Sequence, residues 1–253
     1  VRVQPVILTT LQRLQDRVQA MTSVLGADAG FETPLIHVDA DRQGAAIATR
    51  DAIRSAVGTG AHVLLLEDDI LVDTEAPGRI LSTRFPEDVA VISFCDMREI
   101  PEFSRDGLYA VSPLGSDGRG WWGNQALLIH ASTAAMLARA DWFADDIEQS
   151  RGVQVHRLTY EDEGRNCSDI RLALLVHKYG GDRSLYAVSV PSVFKHVGYT
   201  SVCFPGRGMG ERDTRNWIGD RRRFGLQQQL AASDDGGVGE VRQALGVADA
   251  VDR

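Results

Sequence analysis

Cysteine is scarce in this chain. There are three, Cys95, Cys167 and Cys203, too few and too widely spaced for a disulfide framework or a zinc motif. A reducing compartment is the plain expectation, with one disulfide and one free thiol as the other option. Positive charge is also short: 27 Lys and Arg stand against 35 Asp and Glu, for a net charge of −8. A surface of that sign repels phosphate backbones, which excludes nucleic acid as a partner except at a local basic patch. No apolar run approaches the ~20 residues of a membrane span. No basic and apolar leader opens at Val1. A cytoplasmic location without a membrane span is therefore expected. The chain shows no internal repeat.

What is present is enough hydrophobic sequence, 43% of 253 residues, for one large domain or two small ones. Its first half alternates strand and helix. Pro5 to Leu8 form a strand candidate, ending at Thr9-Thr10. Leu11, Leu14, Val18, Met21 and Leu25 are spaced by three and four, and predict a helix stopped by Gly26. Leu35 to Val38 form the next strand, ending at Asp39-Ala40-Asp41. Ala46, Arg50, Ile53 and Val57 share one face of a second helix, closed by Gly58. After the breaker Gly58-Thr59-Gly60, Val63 to Leu66 read as a buried strand. This βαβαβ rhythm predicts an α/β fold with a mostly parallel central sheet and helices on both faces.

The second half is less regular. Val89 to Phe94 and Gln125 to Ile129 predict strands, Ser132 to Arg139 a short helix, Ser168 to Tyr179 a helix, and Leu185 to Val190 the last clear strand. Residues 101–124 predict a long loop, and long loops in compact domains are often functional. Residues 233–253 are small, polar and acidic, as in a loose tail.

The chemistry concentrates where the third strand ends, in Glu67-Asp68-Asp69. Three carboxylates at a strand tip repel one another and resist burial, and a divalent cation relieves both problems. Alternation along the strand lets Glu67 and Asp69 share one side, with Asp68 opposite. Ligands in open α/β sheets sit at these carboxyl ends. Asp39-Ala40-Asp41, at the neighbouring tip, is a competing pair that could bind a metal but more naturally suits a ribose hydroxyl or a base N–H, with an ordinary helix-entry loop as the alternative. His196, in Pro191-Ser192-Val193-Phe194-Lys195-His196-Val197-Gly198, can add a neutral imidazole nitrogen as a further metal ligand. The other histidines, at 37, 62, 130, 156 and 177, have no comparable neighbours and read as structural.

Asp169 starts a helix, where a carboxylate serves as a cap or as a general base toward a hydroxyl. Glu161, Asp162 and Glu163 are rivals that spacing alone does not separate. Gly206-Arg207-Gly208-Met209-Gly210-Glu211-Arg212, continuing to Arg221-Arg222-Arg223, can form a basic lid over a diphosphate or a solvated basic helix. Trp121 and Trp122, between glycines, can stack on a sugar ring or anchor the loop in the core.

Leu64-Leu65-Leu66-Glu67-Asp68-Asp69-Ile70 resembles the DXD-type motif of GT-A glycosyltransferases. Pro191 to Ser201 resembles the late His-Val-Gly segment of the N-acetylglucosaminyltransferase IV group. Ser168-Asp169-Ile170, with Leu172 and Leu175, is similar to the segment that carries the proposed base in inverting members, and Gln43-Gly44 with Arg50 resembles the family's second helix. The resemblance covers roughly residues 3–201; the chain is shorter than the animal enzymes and lacks their membrane anchor and stem.

It implies a Rossmann-like GT-A domain over residues 1–225, with a nucleotide-binding half at 1–100, an acceptor-binding half at 101–225, and a tail or marginal helix at 226–253. It implies Asp69 and His196 for a divalent cation (Mn²⁺ or Mg²⁺), and Glu67 or Asp68 assisting with metal and diphosphate. Asp169 is the implied base, and Thr9, Asp39 and Arg50 are candidates for nucleotide contacts. The implied donor is a UDP-sugar, with UDP-N-acetylglucosamine first, and the acceptor a carbohydrate or other hydroxyl. Two alternatives stay open. A sugar- or nucleotide-binding module would use the acidic tip only structurally. A nucleotidyltransferase would need a Gly-rich signature near the N-terminus, and Gln4 to Leu11 contain no glycine.

Overall fold

A computed structural model describes residues 1–11, 18–41, 43–58, 60–95, 105–114, 120–121, 123–148 and 168–197. All of them fall within one compact unit, Val1–Trp217. The first three strands, β1 (Val3–Thr9), β2 (Leu35–Val38) and β3 (His62–Glu67), are parallel, with β1 between the other two. β1 and β3 are buried along nearly their whole length, as strands covered on both faces must be, and this is why Pro5–Leu8 and Val63–Leu66 read as apolar runs. Pro5 sits inside β1 although it has no N–H for the ladder. The Gln4 carboxamide supplies a donor beside it, reaching Thr33 O at 2.7 Å and Pro5 O at 3.1 Å.

Helix α1 (Val18–Val24) connects β1 to β2, and α2 (Ala45–Ala56) connects β2 to β3. Right-handed crossovers in opposite directions along the sheet place these helices on opposite faces. Leu11 departs from expectation. It lies in a turn at 63% exposure, while Met21 and Leu25 are buried; the stretch between Leu11 and α1 lies outside the described residues.

The remaining strands are β4 (Ile70–Val72), β5 (Val89–Ser93), β6 (Gly107–Val111), β7 (Ala126–Ile129), β8 (Leu185–Val190) and β9 (Phe194–His196). The main sheet has seven strands in the order β2-β1-β3-β7-β5-β8-β6. β7 runs antiparallel to β3 and β5, and β6 antiparallel to β8, so five strands point one way and two are reversed. The expected α/β class, the mostly parallel sheet and the helices on both faces are therefore observed. The long loop expected over 101–124 is corrected: its described part contains β6, an edge strand whose residues are half-buried or exposed. An edge strand needs little hydrophobicity, so its sequence reads as turn.

The remaining described α-helices are α3 (Ala76–Ser82), α4 (Ala131–Arg139), α5 (Asp145–Glu148) and α6 (Ser168–Tyr179). α6 carries Ile170 and Leu172 to Val176 into a core shared with Val6, Ile53, Leu65, Leu127, Trp142 and Val188. Arg171 is fully buried in this helix. Its guanidinium bonds Trp142 O at 2.6 Å and Glu148 at 2.8 Å and lies over the Phe143 ring, fastening α5 to α6. At the opposite end of β3 from the acidic tip, His62, Phe85 and His130 pack ring on ring, with centroids 4.7–5.1 Å apart. Among the described residues, no helix is long and apolar enough to cross a membrane.

Candidate active site

β3 buries Val63, Leu64, Leu65 and Leu66 completely and then delivers the three carboxylates at its carboxyl end. Leu8 of β1 lies opposite Glu67, so the tips of β1 and β3 are level. Glu67 is half-buried, and its N–H donates to Gln125 O at 3.0 Å. Asp68 turns back toward β1, where its Oδ2 accepts the Thr9 hydroxyl at 2.7 Å in a buried setting. A buried carboxylate is costly unless hydrogen-bonded, and a bond to an ionised acceptor is among the stronger ones.

Asp69 has a different partner. Its Oδ2 is 3.3 Å from His196 Nε2, and its carbonyl accepts Val197 N–H at 2.8 Å. Backbone pairing enforces this meeting. Immediately after the acidic triplet the chain forms β4, which pairs antiparallel with β9 so that Ile70 lies opposite His196. Val193 N–H and Phe194 N–H both donate to Phe94 O, which holds the ribbon at the end of β5. This segment, which follows the last strand expected from the sequence, is thus a strand of its own.

A carboxylate oxygen beside an imidazole nitrogen is a donor pair suited to Mn²⁺ and related divalent ions. Among the described residues no group of three or more His, Cys, Asp or Glu is placed to hold a metal. A cation held by this pair would have to take its remaining ligands from outside the described residues.

Asp39 lies at the next tip. Its N–H donates to Thr9 O at 2.9 Å, and its Oδ1 accepts Gln43 N–H at 3.0 Å, shaping the turn into α2. Thr9, Asp39 and Asp68 are thus brought together. Arg50 is not brought to them. Its guanidinium forms a two-pronged pair with Asp51, at 2.8 and 3.3 Å, and lies 5.9 Å from the Phe143 ring centroid. That hydrogen bond, with the positive charges of Arg50 and Arg54, holds the Asp51 carboxyl below the usual carboxylate range.

Asp169 is the second residue of α6. Its Oδ2 accepts Gly123 N–H at 3.1 Å, and its Oδ1 is 3.5 Å from the Ser168 hydroxyl. Ser168 Oγ accepts from Asn124 Nδ2 at 2.7 Å, and Asn124 Oδ1 accepts from Trp121 Nε1 at 3.1 Å. Trp121 is fully buried and stacked on Tyr186 with ring centroids 4.7 Å apart, so of its two expected roles it anchors the core. Trp122 lies outside the described residues, as do Glu161, Asp162, Glu163 and the basic segment 206–223.

Residues 123–125 join the two acidic centres. Gly123 meets Asp169, and Gln125 meets Glu67. Gly123 has φ +71°, and a Cβ there would stand 2.0 Å from Gln125 Oε1, so this step admits only glycine without rearrangement. Asn124, Gln125 and Ser168 escape sequence reasoning. They are polar residues beside glycines or at a helix start, where a solvated loop or a simple cap is the ordinary interpretation.

No protein-family profile and no curated protein sequence matches this chain. Among solved structures, it is similar to a mutant of Drosophila beta-1,4-galactosyltransferase 7 in complex with manganese, UDP-Gal and xylobiose. The identity is 12%, the TM-score is 0.43, and the alignment covers 86% of this chain and 81% of that one. A likeness this distant carries no weight for chemistry, which stands on the residues above.

Proposed function

We propose that this protein is a GT-A glycosyltransferase, metal-dependent and inverting, that moves a sugar from a UDP-sugar to a hydroxyl on a carbohydrate or other acceptor. UDP-N-acetylglucosamine is the first candidate donor, on the resemblance of residues 64–70 and 191–201. One observation carries the proposal. The carboxylates at the end of β3 take separate partners, Asp68 with Thr9 and Asp69 with His196. A helix-start carboxylate, Asp169, is tied to the same strand end through residues 123–125.

Asp69 and His196 are the residues that would hold a divalent cation, with Glu67 or Asp68 assisting through a water or a hydroxyl and not as a third direct ligand. Such an ion supplies positive charge opposite the negative charge that grows on a departing diphosphate. Thr9 and Asp39 lie where ligands of open α/β sheets bind and are assigned to the nucleotide. Arg50, occupied by Asp51, is the weakest member of that set. Asp169 takes the proton of the acceptor hydroxyl while its oxygen bonds to the anomeric carbon and the bond to the diphosphate breaks, which inverts the configuration.

The test is a panel of nucleotide sugars incubated with and without Mn²⁺, scored for release of nucleoside diphosphate to water in place of an acceptor. Release from a UDP-sugar that needs Mn²⁺ is expected. It should fall on the order of 100-fold or more in Asp69→Ala, with an unchanged melting curve. Glycan binding by calorimetry that ignores both UDP and Mn²⁺, with no release from any donor, would instead identify a binding module. Pyrophosphate release from a nucleoside triphosphate and a sugar phosphate would identify a nucleotidyltransferase.

A further inference from the structure

We propose that Asn124 is a positioning residue for the Asp169 base, holding it through Ser168 and Gly123; this rests on the assignment of Asp169 made above. Asn124 is fully buried, and its carboxamide is used on both sides. The direction of the network follows from chemistry. An indole N–H only donates, so the Trp121 contact must face the amide oxygen of Asn124. The amide nitrogen then faces Ser168 and donates to its Oγ at 2.7 Å. That leaves the Ser168 hydrogen for another acceptor, and Asp169 Oδ1 is within reach at 3.5 Å. The other carboxylate oxygen is held by the N–H of Gly123, the residue adjoining Asn124 in the chain. One oxygen of Asp169 is thus met by the Ser168 hydroxyl that the buried Asn124 amide orients, and the other by the backbone N–H of the adjoining Gly123, with the amide itself fastened to the Trp121–Tyr186 stack on β8. A residue that only filled space here would need neither a donor nor an acceptor.

A proton acceptor displaced by about 1 Å can lose about 100-fold in rate. Asn124→Ala should therefore lower kcat of the Mn²⁺-supported transfer or donor hydrolysis about 10- to 100-fold per folded molecule, with donor KM changed by less than about 3-fold. Ser168→Ala, which keeps the Trp121–Asn124 contact, should lose a similar factor, and Ser168→Thr, which restores the hydroxyl, should recover most of it. The Asn124→Ala/Ser168→Ala double variant should be no slower than the worse single one, because both act along one path.

Several results overturn the proposal. One is an Asn124→Ala kcat within about 3-fold of wild type, and another is a loss that sits wholly in KM. A third is multiplication of the two losses in the double variant. Should Asn124→Ala fail to fold, Ser168→Ala and Ser168→Thr decide alone, and equal activity in both refutes the relay. A wild-type protein with no activity on any donor defeats the enzyme assignment itself and this inference with it, whereas an active wild type with indifferent variants defeats the inference alone.

Discussion

Acid should loosen this protein through His62. The ring begins β3, and its Nδ1 accepts the N–H of Ala131, the first residue of α4, at 3.0 Å. Its proton therefore resides on Nε2, and a second proton would have to enter at Nδ1 and break that bond. Burial, then the neighbouring His130 and Arg183, push the His62 pKa from 6.5 down to about 4. Burial, followed by Arg183, also lowers that of His130. Between these limits the unfolded chain binds a proton that the folded chain refuses. Stability is then complete above pH 6.5 and falls as the pH drops toward about 4. The interval corresponds to about 3 kcal/mol at about 1.4 kcal/mol per pH unit. The ring is only half-buried, and solvent screening reduces this to on the order of 1–2 kcal/mol.

Urea unfolding at a series of pH values, for wild type and His62→Asn, isolates the effect. The asparagine Oδ1 stands where Nδ1 stood and still accepts from Ala131, but does not titrate. Wild type should lose about 1–2 kcal/mol more than the variant between neutral and pH ~4.5. Parallel stability curves would show that His62 carries no such penalty.

Two further substitutions probe the acidic tip and its link to α6. Thr9→Val keeps the shape of the side chain but removes the donor to Asp68. It should cost about 1.5–3 kcal/mol in urea unfolding, the value of a bond to a charged acceptor, and a change under about 0.5 kcal/mol would mean the bond is solvent-replaceable. Gly123→Ala places a Cβ on Gln125 Oε1 at positive φ. It should cost about 1–3 kcal/mol, lower Tm by at least about 2–4 °C, and reduce transfer; an unaltered Tm would show that the step can reshape.

Most of the legible strands are buried along nearly their whole length; β2, also found where expected, is the exception and is half-buried or exposed. β3 and β5 appear as apolar runs, β1 shows as one only from Pro5 to Leu8, and α6 matches its expected bounds because Ile170 and Leu174 recur at helical spacing. β6 is hidden because an edge strand tolerates glycine and exposed positions. β4 and β9, at three residues each, are too short for any periodicity to show. Within the site, the acidic triplet announces itself as charge at the end of a buried run. That Asp68 belongs to Thr9 while Asp69 belongs to His196 depends on a ribbon pairing set far along the chain, which spacing does not reveal. The support of Asp169 is equally silent, since one of its two anchors is a backbone N–H and the other a serine that looks like a helix cap.

The β4–β9 ribbon also constrains the order in which the molecule can be completed. β1 through β3 assemble from neighbouring stretches, but the imidazole that meets Asp69 is more than a hundred residues downstream, and contacts of such sequence separation are slow to form. The aspartate thus waits on nearly all of the intervening polypeptide. A nascent or clipped chain ending before Phe194 lacks both the partner strand of β4 and the histidine that meets Asp69, so completion of this corner coincides with docking of the last described strand.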